Sequence, residues 1–168
     1  LTLMYRKPAT TFNQKAEALY QQNVLSVMEE VWHKEGERID LVIFLNGIAI
    51  FTFELKCNTS GQNYEDAIRQ YKFERDYKTR LLKFKAGCLA HFAMDLNEVY
   101  MCTNLKGKSS FFLPFNKGCG VGIHSGKGNP HNENGINVSY MWEDILKKDT
   151  VLYLIDKIIF LQKETKKD

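Results

Sequence analysis

Apolar and polar residues follow one another along this chain in two rhythms, and the changes between them mark the elements. Residues 12–23, FNQKAEALYQQN, place Phe12, Ala16, Leu19 and Tyr20 at helical spacing, which predicts a short amphipathic helix. VLSVMEEVWH (24–33) alternates loosely, with Val24, Val27, Val31 and Trp32 favouring a strand, and KEGER (34–38) is a polar turn. IDLVIFL (39–45) is a nearly unbroken β-branched and apolar run, as in a strand buried on both faces. Asn46-Gly47 follows, both residues accepting the positive φ of a type I′ turn, and IAIFTFELK (48–56) is the returning arm of a hairpin.

Beyond a loop, CNTSGQ (57–62), residues 63–79 put Tyr64, Ala67, Ile68 and Tyr71 on one helical face. Gly87 closes LLKFKAG, then LAHFAMD (89–95) and VYMCTN (99–104) read as two strands joined by LNE (96–98). Residues 105–137 form a long Gly-, Asn-, Lys- and Ser-rich loop around the apolar island FFLPFN (111–116), and a loop of that length is functional or mobile. The stretch 139–164 carries one or two helices, and the last residues are a charged tail. The order α-β-β-β-α-β-β-loop-α predicts an α/β fold, a central mixed β-sheet flanked by helices. We expect a single domain over 1–168, with its core at about 12–104, the loop at 105–137 and the C-terminal helices at 139–164.

Composition narrows the function classes. With 168 residues, 44% hydrophobic and 26% charged, the chain suits one globular domain. A net charge of +3 permits a polyanionic partner without requiring one. The four cysteines form no Cys-x-x-Cys pair and the four histidines add no ligand spacing, so a zinc site is not expected. Reduced thiols, no membrane-length apolar run and no signal-peptide pattern lead us to expect a cytoplasmic protein with no membrane partner. The chain starts at Leu1 rather than Met, as a piece of a longer protein would.

Chemistry gathers at the end of the hairpin. Asp40 opens one buried arm, and Glu54-Leu55-Lys56 closes the other. Glu54 and Lys56 are two apart and project from one face. A hairpin turning at Asn46-Gly47 sets residue 40 roughly opposite 53, close to Glu54. Two adjacent buried carboxylates call for a cation, and Mg²⁺ typically takes one or two protein carboxylates together with phosphate oxygens. A divalent ion there supplies Lewis acidity, and Lys56 can steady developing charge, the parts that phosphodiester hydrolysis needs. Taken alone, the same three residues also read as an ordinary strand-end salt bridge.

The wider context is more specific. RIDLVIFLNGIAIFTFELK (38–56) closely resembles the nuclease motif of the restriction subunits of type I restriction–modification enzymes, a branch of the PD-(D/E)xK nucleases. GQNYEDAIRQYKFERD (61–76), HFAMDLNEVYMCTNL (91–105), FLPFNKG (112–118), GNP (128–130) and YMWEDIL (140–146) resemble it too, in order, from about residue 13 onward. The resemblance implies a PD-(D/E)xK restriction-endonuclease-like fold and a Mg²⁺-dependent DNA endonuclease domain. It makes Asp40 and Glu54 the metal-binding carboxylates and Lys56 the catalytic lysine. It also implies a Gln-x-x-x-Tyr motif, which Gln70 begins but Glu74, not a tyrosine, completes; Tyr71 and Tyr77 lie near. An acidic residue on the first helix often joins such sites, and Glu17 is the candidate. Arg69, Lys72 and Arg75 are the candidate contacts to DNA phosphates, although acidic neighbours make a plain solvated face an equal reading. The Gly- and Lys-rich loop lacks P-loop spacing, so no nucleotide site is expected there. ATP would serve only the full-length enzyme, through a motor that follows this domain, and the implied partners are double-stranded DNA and the modification and specificity subunits. Two rival readings are a catalytically idle DNA-binding or assembly domain and a DNA repair nuclease of the same fold.

Overall fold

The expected strands assemble into one mixed sheet in a computed structural model, which describes residues 3–10, 12–119, 122 and 127–161. The chain forms two compact units, Val24–Tyr140 and Leu1–Asn23 together with Met141–Asp168, and each is described by itself.

In the first unit, β1 (Leu25–Lys34), β2 (Glu37–Leu45), β3 (Ile48–Leu55), β4 (Ala90–Met94), β5 (Val99–Cys102) and β6 (Leu113–Pro114) lie side by side in chain order. All neighbours are antiparallel except β3 and β4, which run parallel. A parallel pair needs a crossover, and α2 (Tyr64–Phe73) supplies it, packing on β3, β4 and β5. Under α2 sits a core of Ile39, Val42, Ala67, Tyr71, Leu82, Ala93, Cys102 and Leu105. Elsewhere Phe92 packs against Phe53 (centroids 4.8 Å apart), Phe51 and Phe115. Each such buried side chain contributes about 1.5–3 kcal/mol. The result is an α/β fold consistent with a PD-(D/E)xK-like nuclease domain.

Three expectations change. The helix over 63–79 begins as predicted, with Asn63 and Asp66 forming a capping box, but it ends at Phe73. Its continuation is blocked because Glu37 accepts the Asp76 N–H at 2.7 Å while Asp76 accepts the Lys78 N–H at 3.0 Å, diverting donors that a helix would use. The apolar island in the long loop contributes β6, where Pro114 is tolerated because the strand is an edge. Phe12, placed at helical spacing in the helix expected over 12–23, is 92% exposed and precedes α1 (Gln14–Gln21), whose buried residue is Tyr20.

In the second unit α1 is capped by the Asn13 side chain. The C-terminal part has a wide turn at Met141–Ile145, α3 (Lys148–Tyr153) and a second wide turn at Leu154–Ile158. Each wide turn closes with an i→i+5 bond, Leu146 N–H to Met141 O at 2.7 Å and Ile159 N–H to Leu154 O at 2.8 Å. Asp149 accepts hydrogen bonds from Tyr20 Oη and Lys7 Nζ, and Arg6 pairs with Asp156. Among the described residues no helix is long and apolar enough to cross a membrane. Residues 162–164 of the expected last helix, and 120, 121 and 123–126 of the Gly- and Lys-rich loop, lie outside the described residues.

Candidate active site

The site begins with an irregularity in the hairpin. From the turn, Leu45 pairs with Ile48 and Phe44 with Ala49, but Ile43 then pairs with Phe51. Ile50 is therefore an extra residue on β3, a β-bulge, and its carbonyl accepts the Leu89 N–H at 2.8 Å at the entry to β4. The bulge corrects the expected register. Residue 53 faces Leu41, not Asp40, and continuing that register sets Asp40 opposite Glu54. A one-residue slip moves side chains to the other face. Without the bulge Asp40 and Glu54 would lie on opposite sides of the sheet; with it they share the side that α2 covers.

At this point β2 and β3 separate. Their pairing stops at Leu41 and Phe53, and Asp40 Oδ2 accepts the Leu55 N–H at 2.7 Å in place of a backbone partner. Glu54 is fully buried. Arg75, just past the end of α2 and only 9% exposed, donates from Nε to Glu54 Oε1 at 2.7 Å and from a terminal nitrogen to Oε2 at 3.3 Å. Burial pushes the Glu54 carboxyl up to about 7, the negative Asp40 adds to this, and Arg75 and Lys56 oppose it. Lys56 is half-buried, and its backbone N–H is fixed to Met94 O at 2.9 Å.

A buried polar chain backs the carboxylates. Thr52, two residues before Glu54 on the same face, lies 2.8 Å from both Tyr71 Oη and His91 Nδ1. Burial pushes the His91 imidazole down to about 3, so it is neutral, and pushes the Tyr71 phenol far up. Tyr71 is thus the tyrosine beside the site, while Glu74 occupies the position where the motif expects one. Gln70 hydrogen-bonds to none of Asp40, Glu54 and Lys56, and its buried Oε1 has no partner among the described residues.

The three residues expected to contact phosphates separate. Arg69 is 67% exposed beside Glu74, and Lys72 is half-buried. Arg75 is not on that open face at all; its guanidinium is the counter-charge of Glu54. Glu17 lies on α1 in the other unit, where its carboxylate accepts from Gln21.

Sequence reasoning missed Asp95. It is buried, and it accepts the N–H groups of Tyr64 (3.0 Å), Asn97 (2.7 Å) and Glu98 (2.8 Å) and the Asn58 amide (3.3 Å). Those bonds tie the start of α2 and the loop after Lys56 to the end of β4. The signal was a carboxylate ending an apolar strand just before Asn97, the usual setting of an Asx turn.

The donor set suits a hard cation. Asp40 has Oδ1 without a hydrogen bond among the described residues, Glu54 offers a second carboxylate, and Mg²⁺ uses one or two of these and keeps waters. No group of three or more His, Cys, Asp or Glu side chains is placed to hold a metal among the described residues.

In comparison with known families, the model described as type I restriction enzyme R protein N terminus matches residues 10–110, which include every site residue above. No curated protein and no solved structure matched.

Proposed function

The chain belongs to the family of type I restriction enzyme R protein N termini, and from that premise we propose that it is a Mg²⁺-dependent DNA endonuclease domain. The observation that carries this reading is the Ile50 bulge, because it puts Asp40 and Glu54 on one side of the sheet with Lys56 two residues further on. Asp40 and Glu54 would hold the ion. Bound there, it would polarise the phosphodiester and acidify water beside it. Lys56 stabilises charge developing on the phosphate, and the half-buried setting strengthens that interaction relative to open water. Thr52, Tyr71 and His91 hold the strand behind Glu54 and exclude water from that side. Arg69 and Lys72 are the phosphate contacts outside the site. The DNA partner, the modification and specificity subunits, and cutting driven by an ATP-dependent motor belong to this proposal for the whole enzyme.

The idle-domain reading draws on one observation, that both Glu54 oxygens are engaged by Arg75. One assay decides between the two. In the full-length protein Lys56→Ala should reduce ATP-dependent cleavage of unmodified DNA by about 10²-fold or more, as loss of a charge-stabilising group does. Undiminished cutting by the variant would favour the idle domain.

A further inference from the structure

The two carboxylates of the site already stand among cations. Lys56 lies two residues beyond Glu54 on the same strand end, and Arg75 sits directly on Glu54. Arg75 is built into this position. The early end of α2 leaves it on the turn toward Asp76, whose N–H is anchored by Glu37, and the guanidinium is directed onto Glu54 rather than outward with Arg69. A planar fork on a fully buried carboxylate is a strong, charge-assisted contact, and Glu54 has no other hydrogen-bond donor among the described residues.

We infer that Arg75 is an exchangeable counter-ion of the site: it occupies Glu54 when no metal is present, and a divalent cation binds only by displacing at least one of its two bonds. The inference rests on the metal-site reading of Asp40 and Glu54. A Glu54 oxygen that accepts from a guanidinium has less electron density for a cation, and the guanidinium itself repels the incoming charge. The contact to Oε2, at 3.3 Å, is the weaker of the pair and yields first. Once freed, the guanidinium fork is of the shape that pairs with two phosphate oxygens. Arg75 therefore lowers the metal affinity of the empty site while keeping Glu54 correctly aimed. It is a positioning residue, acting through Glu54.

The test titrates Mg²⁺ alone into the 168-residue chain by calorimetry, with melting curves in EDTA and in Mg²⁺. Arg75→Met should bind Mg²⁺ about tenfold more tightly than the wild type, or better, the factor set by one charge-assisted hydrogen bond that no longer has to break. It should also melt earlier in EDTA, because the buried Glu54 loses its paired guanidinium, and regain more in Mg²⁺ than the wild type does. Arg75→Lys keeps the charge without the fork and should show a smaller gain; it carries the test if the methionine variant does not fold. Glu54→Gln in the Arg75→Met background should abolish the gain. Wild-type binding with equal or weaker affinity in both Arg75 variants overturns the inference and leaves the metal site standing. Absence of Mg²⁺ binding in the wild type and in every variant overturns it together with the metal site, whereas the catalytic role of Lys56 is judged separately by cleavage.

Discussion

Glu54 is fully buried, and its carboxyl titrates near 7 rather than at its ordinary 4.5. A raised folded-state value means that the folded protein binds the proton more tightly than the unfolded chain. The associated stability is complete below 4.5 and is lost as pH rises through about 7. His91 acts in the opposite direction: burial holds it near 3 against 6.5, so its contribution is present above 6.5 and is lost as pH falls. The two overlap between pH 8 and 6, so wild-type stability alone would not separate them. The difference between the wild type and Glu54→Gln does, because the His91 part is common to both. In EDTA that difference should shift in favour of the wild type by about 1 kcal/mol as pH falls from about 8 to 6, measured by urea unfolding. A difference that stays constant over this range would remove Glu54 as the titrating group. At this scale the sequence singles out Asp40, Glu54 and Lys56, since charged residues closing apolar strands stand out against their neighbours, and the fold sets Asp40 and Glu54 on one side of the sheet. Arg75 was misplaced for the same kind of reason. Its helical neighbours Arg69 and Lys72 suggested a shared surface, whereas the helix stops at Phe73 and turns Arg75 inward.

The hairpin shows which parts of an element are written locally. Asn46 and Gly47 have φ of 50° and 81°, the left-handed pair that the Asn-Gly dipeptide predicts. The bulge at Ile50 has no such signature; IAIFTF reads as an even strand, and the extra residue is fixed by the core packed on both faces and by the bond from Leu89, just before β4. The end of α2 was unreadable because Glu37, 39 residues away, takes the Asp76 N–H. Two glycines separate backbone strain from steric room. A Cβ at Gly47 meets nothing within 4 Å, so Gly47→Ala should cost about 1 kcal/mol from the positive φ alone. At Gly87 a Cβ would lie 2.2 Å from Leu81 O, a backbone atom that cannot swing aside, in the tight loop closed by Cys88 N–H to Leu81 O. Gly87→Ala should therefore be the more destabilising by urea unfolding, the two being far apart in cost. Equal losses would show that the 79–88 loop yields freely.

For the molecule as a whole, periodicity ordered the elements but carried no record of which distant segments meet. In the unit formed by Leu1–Asn23 and Met141–Asp168, Tyr20 and Asp149 are 129 residues apart and joined by a hydrogen bond that no local pattern encodes. Its partners differ in what they add. Lys7 and Asp149 form a mostly exposed pair, which solvent screens, so Lys7→Met should change little. Tyr20 is buried, and burial together with its bond to Asp149 raises its phenol. Asp149→Ala would strand that hydroxyl, at about 1–3 kcal/mol, the usual penalty for a buried group left without its partner. Tyr20→Phe removes the donor as well as the need for an acceptor, and Asp149 retains Lys7, so its effect should fall between the other two. Amide hydrogen exchange in α1 and α3 reads this order directly. The exchange should accelerate most in Asp149→Ala, less in Tyr20→Phe and least in Lys7→Met. Faster exchange in Lys7→Met than in Asp149→Ala would mean that the exposed ion pair, and not the buried phenol, joins the first helix to the last.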